Sequence, residues 1–224
     1  MKTKTFLFLL LFLTLTSWAA NAQNPIPYSP DAICLPHIHG SAIDQRGWCN
    51  IETATQTIAL SAGWNSMSTN LEIELQDLKD ALLLAMPNAG ANSIIIKSKS
   101  DGTTFYNGAH WRGKLNALDV MQMYKIKVDT DCEITLEGTP IDPSEHFITI
   151  CYGSNWIGFP LSENISLSDA FPELASRGDI VKSKTNGGIY NGSIWRGPLN
   201  TLAPGKGYIY KSTVQEDRIF TFPQ

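Results

Sequence analysis

Apolar residues recur in this chain with two different periods, and the two alternate. Leu75, Leu78, Leu82 and Met86 fall three and four residues apart, with Asp77, Lys79 and Asp80 between them. That spacing puts one apolar stripe on a helix and its charges opposite. Short β-branched runs surround it: Thr57-Ile58-Ala59-Leu60, Ser93-Ile94-Ile95-Ile96-Lys97, Ile148-Thr149-Ile150-Cys151 and Asp179-Ile180-Val181-Lys182. These predict strands. A shorter second helix is predicted around Leu167, Ala170, Phe171 and Leu174. Ser166 or Ser168 would cap it, Pro172 would be confined to its first turn, and Gly178 would end it. Further strands should start at Tyr124 and Tyr208, the second entered through the turn Pro204-Gly205-Lys206-Gly207.

These elements come in one order, twice. Lys97-Ser98-Lys99 followed by Tyr106-Asn107-Gly108-Ala109-His110-Trp111-Arg112-Gly113 returns as Lys182-Ser183-Lys184 followed by Tyr190-Asn191-Gly192-Ser193-Ile194-Trp195-Arg196-Gly197. The offset is 84 residues from Tyr106/Tyr190 to Tyr124/Tyr208, and 90 at Gly63/Gly153, so the second copy is shorter around its helix. Self-similarity at a fixed period predicts two copies of one structural unit. The expected fold is β-rich α+β: two tandem homologous modules, each a small twisted, mostly antiparallel sheet with one short helix. Module 1 is placed at 57–138, an inter-module turn at 139–146 and module 2 at 147–224. A proline-punctuated, irregular arm is placed at 23–56.

The first 22 residues read as a signal peptide. Lys2 and Lys4 precede an apolar run from Phe6 to Leu15, and Ala20-Asn21-Ala22 supplies the small-x-small cleavage pattern. The run is shorter than the roughly 20 residues that span a bilayer. The chain is therefore expected to be secreted (extracellular, cell-surface or periplasmic), with no membrane span once the leader is removed. No appended sorting domain is expected after Phe222-Pro223-Gln224. Seventeen Lys and Arg against 21 Asp and Glu give a net charge of −4, and loss of Lys2 and Lys4 makes the mature chain −6. With no basic cluster, nucleic acid is not an expected partner.

Four cysteines in an exported chain suggest disulfides, and four cysteines allow three pairings. The expected pairs are Cys34–Cys49 and Cys132–Cys151, since each closes a short local loop. The second would staple a hairpin of Cys132–Leu136 against Phe147–Cys151, folded about Pro140 to Ser144. Cys151 is out of phase with Ile148 and Ile150, so that pairing requires a bulge. Cys34, His37, His39 and Cys49 also form a candidate zinc set. Their irregular spacing and exported setting favour a disulfide, so no metal and no cofactor is expected.

Gly-Trp-Asn opening a strand, an Ile-x-Lys-Ser strand, a Trp-x-Gly-x-Leu hairpin and a Pro-Gly-x-Gly-Tyr turn together resemble a repeat module of secreted and outer-surface bacterial proteins. The resemblance covers residues 57 to 224. It implies surface or extracellular placement and no established enzymatic activity. Two departures stand out: Asp119-Val120-Met121-Gln122-Met123 replaces the Pro-Gly turn in the first copy, and Ser66 stands where the family usually has an aromatic.

The candidate binding residues are Tyr106, Trp111 and Arg112 in the first copy and Tyr190, Trp195 and Arg196 in the second. An indole face stacks on a sugar ring while a neighbouring guanidinium bonds its hydroxyls. The competing account is that each Trp closes its own small core with Arg stacked over it. No Gly-x-Ser-x-Gly elbow, His-Glu-x-x-His or other catalytic constellation is found, so no catalytic residue is assigned. The leading expectation is a non-catalytic binding or adhesion module with a glycan or surface-protein partner. A structural spacer or assembly module without a small-molecule site comes second and an extracellular hydrolase third.

Overall fold

The computed structural model describes residues 52–223, preceded by the strand pair Ala42–Ile43 (β1) and Cys49–Asn50 (β2). The leader, most of the arm, the Cys34–Cys49 pairing and the Cys34/His37/His39/Cys49 set lie outside the described residues. What is described is β-rich, with two short α-helices and several antiparallel sheets.

The first copy opens with β3 (Ala54–Leu60), whose alternate residues Gln56, Ile58 and Leu60 are buried. Then follow β4 (Gly63–Met67) and β5 (Leu71–Glu72). Helix α1 (Leu75–Ala85) buries Leu75, Leu78 and Leu82, the stripe that its periodicity demands. Its first turn is tied by the Asp77 carboxylate, which accepts the Glu74 backbone N–H at 3.0 Å. Next come β6 (Ala91–Lys97), β7 (Thr103–Asn107), β8 (Trp111–Gly113), β9 (Tyr124–Val128) and β10 (Cys132–Pro140).

The second copy follows a 3-10 turn at Pro143–Glu145, which the Asp142 side chain caps through the Ser144 N–H. Its strands are β11 (Ile148–Ile150), β12 (Gly153–Ile157) and β13 (Ile165–Ser166). Helix α2 (Leu167–Ala170) is capped by Ser166 Oγ, which accepts the Asp169 N–H at 3.1 Å. It is shorter than predicted. A residue ahead of proline is pushed out of the helical region, and Phe171, before Pro172, sits at φ −128 and ψ 49. Gly178 therefore belongs to a later turn rather than to the helix end. β14 (Ile180–Lys182), β15 (Gly187–Tyr190), β16 (Trp195–Arg196), β17 (Thr201–Leu202), β18 (Tyr208–Ser212) and β19 (Arg218–Phe220) complete the fold.

Two five-stranded sheets have the same plan: β4-β9-β6-β7-β8 and β12-β18-β14-β15-β16. The opening and closing strands of each copy also pair with each other, β3 with β10 and β11 with β19. This corrects the predicted hairpin between Cys132 and Cys151. Cys132 lies opposite Leu60 in β3, and the β11 strand that ends before Cys151 pairs with β19. Each closing strand finds its partner at the start of its own copy, because that pairing buries Ile58, Leu60, Ile134 and Leu136 in one core. The predicted Cys132–Cys151 disulfide is absent: Cys132 is half-buried, Cys151 is exposed, and both are free thiols. Burial, with the Asp131 charge behind it, pushes the Cys132 thiol up. A hydrogen bond to Asp217 does most to raise that of Cys151.

Two apolar clusters result, and the boundary between them does not follow the chain. Val120 and Met121 belong to the first copy in sequence but are buried with Phe159, Phe171 and Tyr210 of the second. Contacts across the boundary are reciprocal. The Gly158 N–H donates to Met121 O at 2.8 Å, and the Gly207 N–H donates to Ser66 O at 3.2 Å. Lys184 Nζ donates to Asn65 Oδ1 at 3.2 Å, and Lys99 Nζ donates to Ser154 O. In each case the turn before a closing-sheet strand, or the Lys-Ser-Lys segment, of one copy reaches the Gly-x-Asn strand of the other or the residue that follows it.

Candidate functional site

The candidate residues of each copy sit on one hairpin at the free edge of its five-stranded sheet. β7 and β8 pair Tyr106 with Trp111, and β15 and β16 pair Tyr190 with Trp195. The reversal is built alike in both. Asn107 Oδ1 accepts the N–H groups of Ala109 (3.0 Å) and His110 (2.7 Å), and Asn191 Oδ1 accepts those of Ser193 (3.0 Å) and Ile194 (2.9 Å). Gly108 and Gly192 follow at φ 95 and 100, a conformation that glycine adopts without strain. The glycine of Trp-Arg-Gly is also at positive φ (138 at Gly113 and 129 at Gly197) and has a second reason besides. A Cβ on Gly113 would lie 2.0 Å from Thr103 O, and one on Gly197 would lie 2.3 Å from Gly187 O.

Both tryptophans are half-buried, neither laid open in a groove nor enclosed in a core. Each leans on its tyrosine, at 5.8 Å between ring centroids for Tyr106–Trp111 and 5.3 Å for Tyr190–Trp195. Each also packs against the apolar cluster of its copy. Both indole Nε1 atoms are shielded from solvent without a hydrogen-bond partner in the protein. Arg112 and Arg196 are exposed. The expected Arg cation over the indole is not what the structure has. The ammonium of Lys79, on α1, stands 5.7 Å from the Trp111 ring centroid, and at Trp195 the neighbour is the Phe171 ring at 6.1 Å. Lys79 and Phe171 occupy equivalent places, five positions after the N-caps Glu74 and Ser166. The two hairpins are therefore alike in backbone and unlike in what backs the indole.

Other duplicated residues are structural ties that sequence reasoning did not assign. Asn65 and Asn155, of Gly-Trp-Asn and Gly-Ser-Asn, make the same bonds. Their Oδ1 atoms accept the N–H of Ser61 and Cys151 at 3.1 and 3.0 Å, and their Nδ2 atoms donate to the same residues' carbonyls at 2.7 Å. Each thus locks the bend between its copy's first two strands. Tyr124 and Tyr208 are buried, and their hydroxyls accept the N–H of Asp119 (2.8 Å) and Ala203 (2.7 Å). Burial raises both phenols, that of Tyr124 to about 12. An identical residue five places earlier in the turn was not needed to find this tie; the retained Tyr was the signal.

One buried charge has no counterpart in the first copy. Asp179 is fully enclosed and accepts Tyr210 Oη at 2.6 Å, Thr213 Oγ1 at 2.7 Å and the N–H groups of Ser176 and Thr213 at 3.0 and 2.7 Å. Arg218 lies 3.5 Å away. Burial alone would raise its pKa, but these bonds to the charged form outweigh it and hold the carboxyl below its usual 3.8. Every partner is a fold element, so Asp179 reads as a lock.

A groove of about 790 Å³ runs between Pro140–Pro143 and Pro160–Ile165. Its Asp142 is occupied in capping the 3-10 turn. Among the described residues there is no cluster of three or more His, Cys, Asp or Glu able to hold a metal, and no helix long and apolar enough to cross a membrane. The chain matches no family model, no curated protein and no solved structure.

Proposed function

We propose that this chain is a secreted or cell-surface binding module, built of two tandem copies of the repeat that it resembles, and that it presents the edge hairpin of each copy to a glycan. The observation that carries the proposal is the half-buried indole of Trp195, buttressed by Phe171 and Tyr190 and flanked by the exposed Arg196. A ring so held offers a rigid apolar surface with little side-chain entropy left to lose, and the guanidinium supplies donors for sugar hydroxyls. The Trp111 hairpin is the weaker site, because the Lys79 ammonium already occupies space over that ring. The chemistry is recognition without catalysis.

The test is a glycan array probed with wild type, Trp195→Ala and Trp111→Ala/Trp195→Ala. Binding by wild type that drops with the single change and vanishes with the double supports the proposal. Binding that survives the double change overturns it.

A second reading, a spacer or assembly module without a small-molecule site, is favoured by the reciprocal contacts between the copies and by the structural work of Asn65, Asn155, Tyr124 and Tyr208. A wild-type protein that binds no glycan on the array selects it.

A further inference from the structure

The two copies meet reciprocally but do not fill their shared boundary equally. On one side, Trp156 stands in β12 where β4 has Ser66, and Met121 and Met123 stand where the second copy has Gly205 and Gly207. Those large side chains close that side: Met121 and Met123 are buried, and Trp156 is covered by the Lys125 ammonium, 5.1 Å from its ring centroid. On the other side the small residues leave a cleft of about 290 Å³. It is not simply slack packing. A Cβ on Gly207 would lie 2.2 Å from the Met123 side chain, and one on Gly205 would lie 3.1 Å from Ile58. The backbone there is seated against the first copy as closely as it can be, and the opening lies beside that contact.

We propose that this inter-copy cleft binds a small sugar acid, a hexuronate. Its size is at the small end of ligand sites, which run from about 300 to 1,000 Å³, and so suits one monosaccharide. Its charge selects the ligand. Lys184 and Lys206 line it and no Asp or Glu does, in a chain whose net charge is −4. Both residues are solvent-exposed, and two ammoniums lining one cleft of an acidic protein favour an anion over a neutral guest. Lys184 is held in place, its Nζ bonded to Asn65 Oδ1 at 3.2 Å, so little side-chain entropy is lost when a carboxylate arrives. The rest of the lining suits a sugar ring better than a bare phosphate: buried Leu60 and Leu199 form an apolar floor, and Ser66 and Thr185 bring hydroxyls. The carboxylate would sit between the two lysines, with the ring's C–H face on the leucines. This site is separate from the hairpins and stands or falls without them.

The test is calorimetric titration of the leader-free chain with galacturonate, galactose and inorganic phosphate, comparing wild type, Lys206→Gln and Ser66→Trp. Ser66→Trp fills the cleft with the residue that the other copy carries at the equivalent place. The expected result is galacturonate binding that is at least tenfold tighter than that of galactose or phosphate. It should weaken about tenfold in Lys206→Gln, equivalent to roughly 1.4 kcal/mol. It should be lost in Ser66→Trp with the thermal midpoint kept. Should Ser66→Trp fail to fold, Lys206→Gln decides. No galacturonate binding by wild type, phosphate binding as tight, or full affinity in Lys206→Gln would each overturn the proposal.

Discussion

Lys184 donates to Asn65 Oδ1 at 3.2 Å, across a boundary that separates them by 119 positions in the chain. The same Oδ1 accepts the Ser61 N–H, and the same amide's Nδ2 donates to Ser61 O. One side chain thus holds a bend in its own copy and receives the other.

Asn65→Ala should therefore destabilise the chain by more than an ordinary polar truncation. It strands the Ser61 carbonyl and N–H and also releases Lys184. The equivalent Asn155→Ala strands Cys151 N–H and O and carries no such bond from Lys99, whose ammonium goes to Ser154 O instead. Ser61 and Cys151 are exposed, so water takes up part of the loss and each lost bond costs about 0.5–1.5 kcal/mol. Urea denaturation should show both variants weakened, Asn65→Ala by more than Asn155→Ala.

Asp179→Ala should be the most damaging single change in the second copy. It leaves the Tyr210 hydroxyl, the Thr213 hydroxyl and N–H, and the Arg218 guanidinium without their common acceptor. Removing one member of a buried charged network costs about 3–5 kcal/mol. The pH dependence follows from the direction of its shift. The folded-state pKa lies below the unfolded 3.8, so the stabilisation is complete above the unfolded value and is lost as pH falls through the folded one. Acid titration followed by circular dichroism should show wild type losing stability below pH 3.8, with Asp179→Asn flatter over that window.

Tyr124 works at the other end of the scale. Its phenol is raised from 10 to about 12 in the folded chain, so its contribution is whole below pH 10 and is lost as pH climbs through 12. Tyr124→Phe removes the acceptor of the Asp119 N–H. The expected loss is about 1 kcal/mol at neutral pH, together with a shallower decline of the thermal midpoint between pH 10 and 12. A variant as alkali-sensitive as wild type would show that the phenol is not the group responsible.

Much of the fold was legible because its signals are local. The stripe Leu75/Leu78/Leu82, the Asn-Gly reversals and the strand at Tyr208 all follow from neighbours in sequence. Long-range pairing was not legible. Cys132 and Cys151 flank a segment that reads as a hairpin, but the burial of Ile134 and Leu136 beside Ile58 and Leu60 is decided about 75 residues away. Pro172 cut the second helix where apolar spacing alone would have carried it on. At the site, the hairpin and its Tyr–Trp pairs were readable from the repeat. The neighbour above each indole was not, since Lys79 and Phe171 come from helices whose register against the sheet no local pattern encodes. The departure Asp119–Met123 was visible as a break in the motif. Its reason, Val120 and Met121 crossing into the other core, needed three dimensions.

That crossing gives the most direct test of the account, in which the two copies complete one another as a single cooperative body. A Cβ on Gly158 would lie 2.3 Å from Val120 O and 2.8 Å from the Met121 carbonyl carbon, backbone that cannot step aside. Differential scanning calorimetry of wild type and Gly158→Ala settles the matter. The account predicts one transition in wild type, with matching calorimetric and van't Hoff enthalpies. In the variant it predicts one transition moved down as a whole, by about 1–3 kcal/mol of stability. Two separable transitions, only one of them displaced by Gly158→Ala, would contradict it.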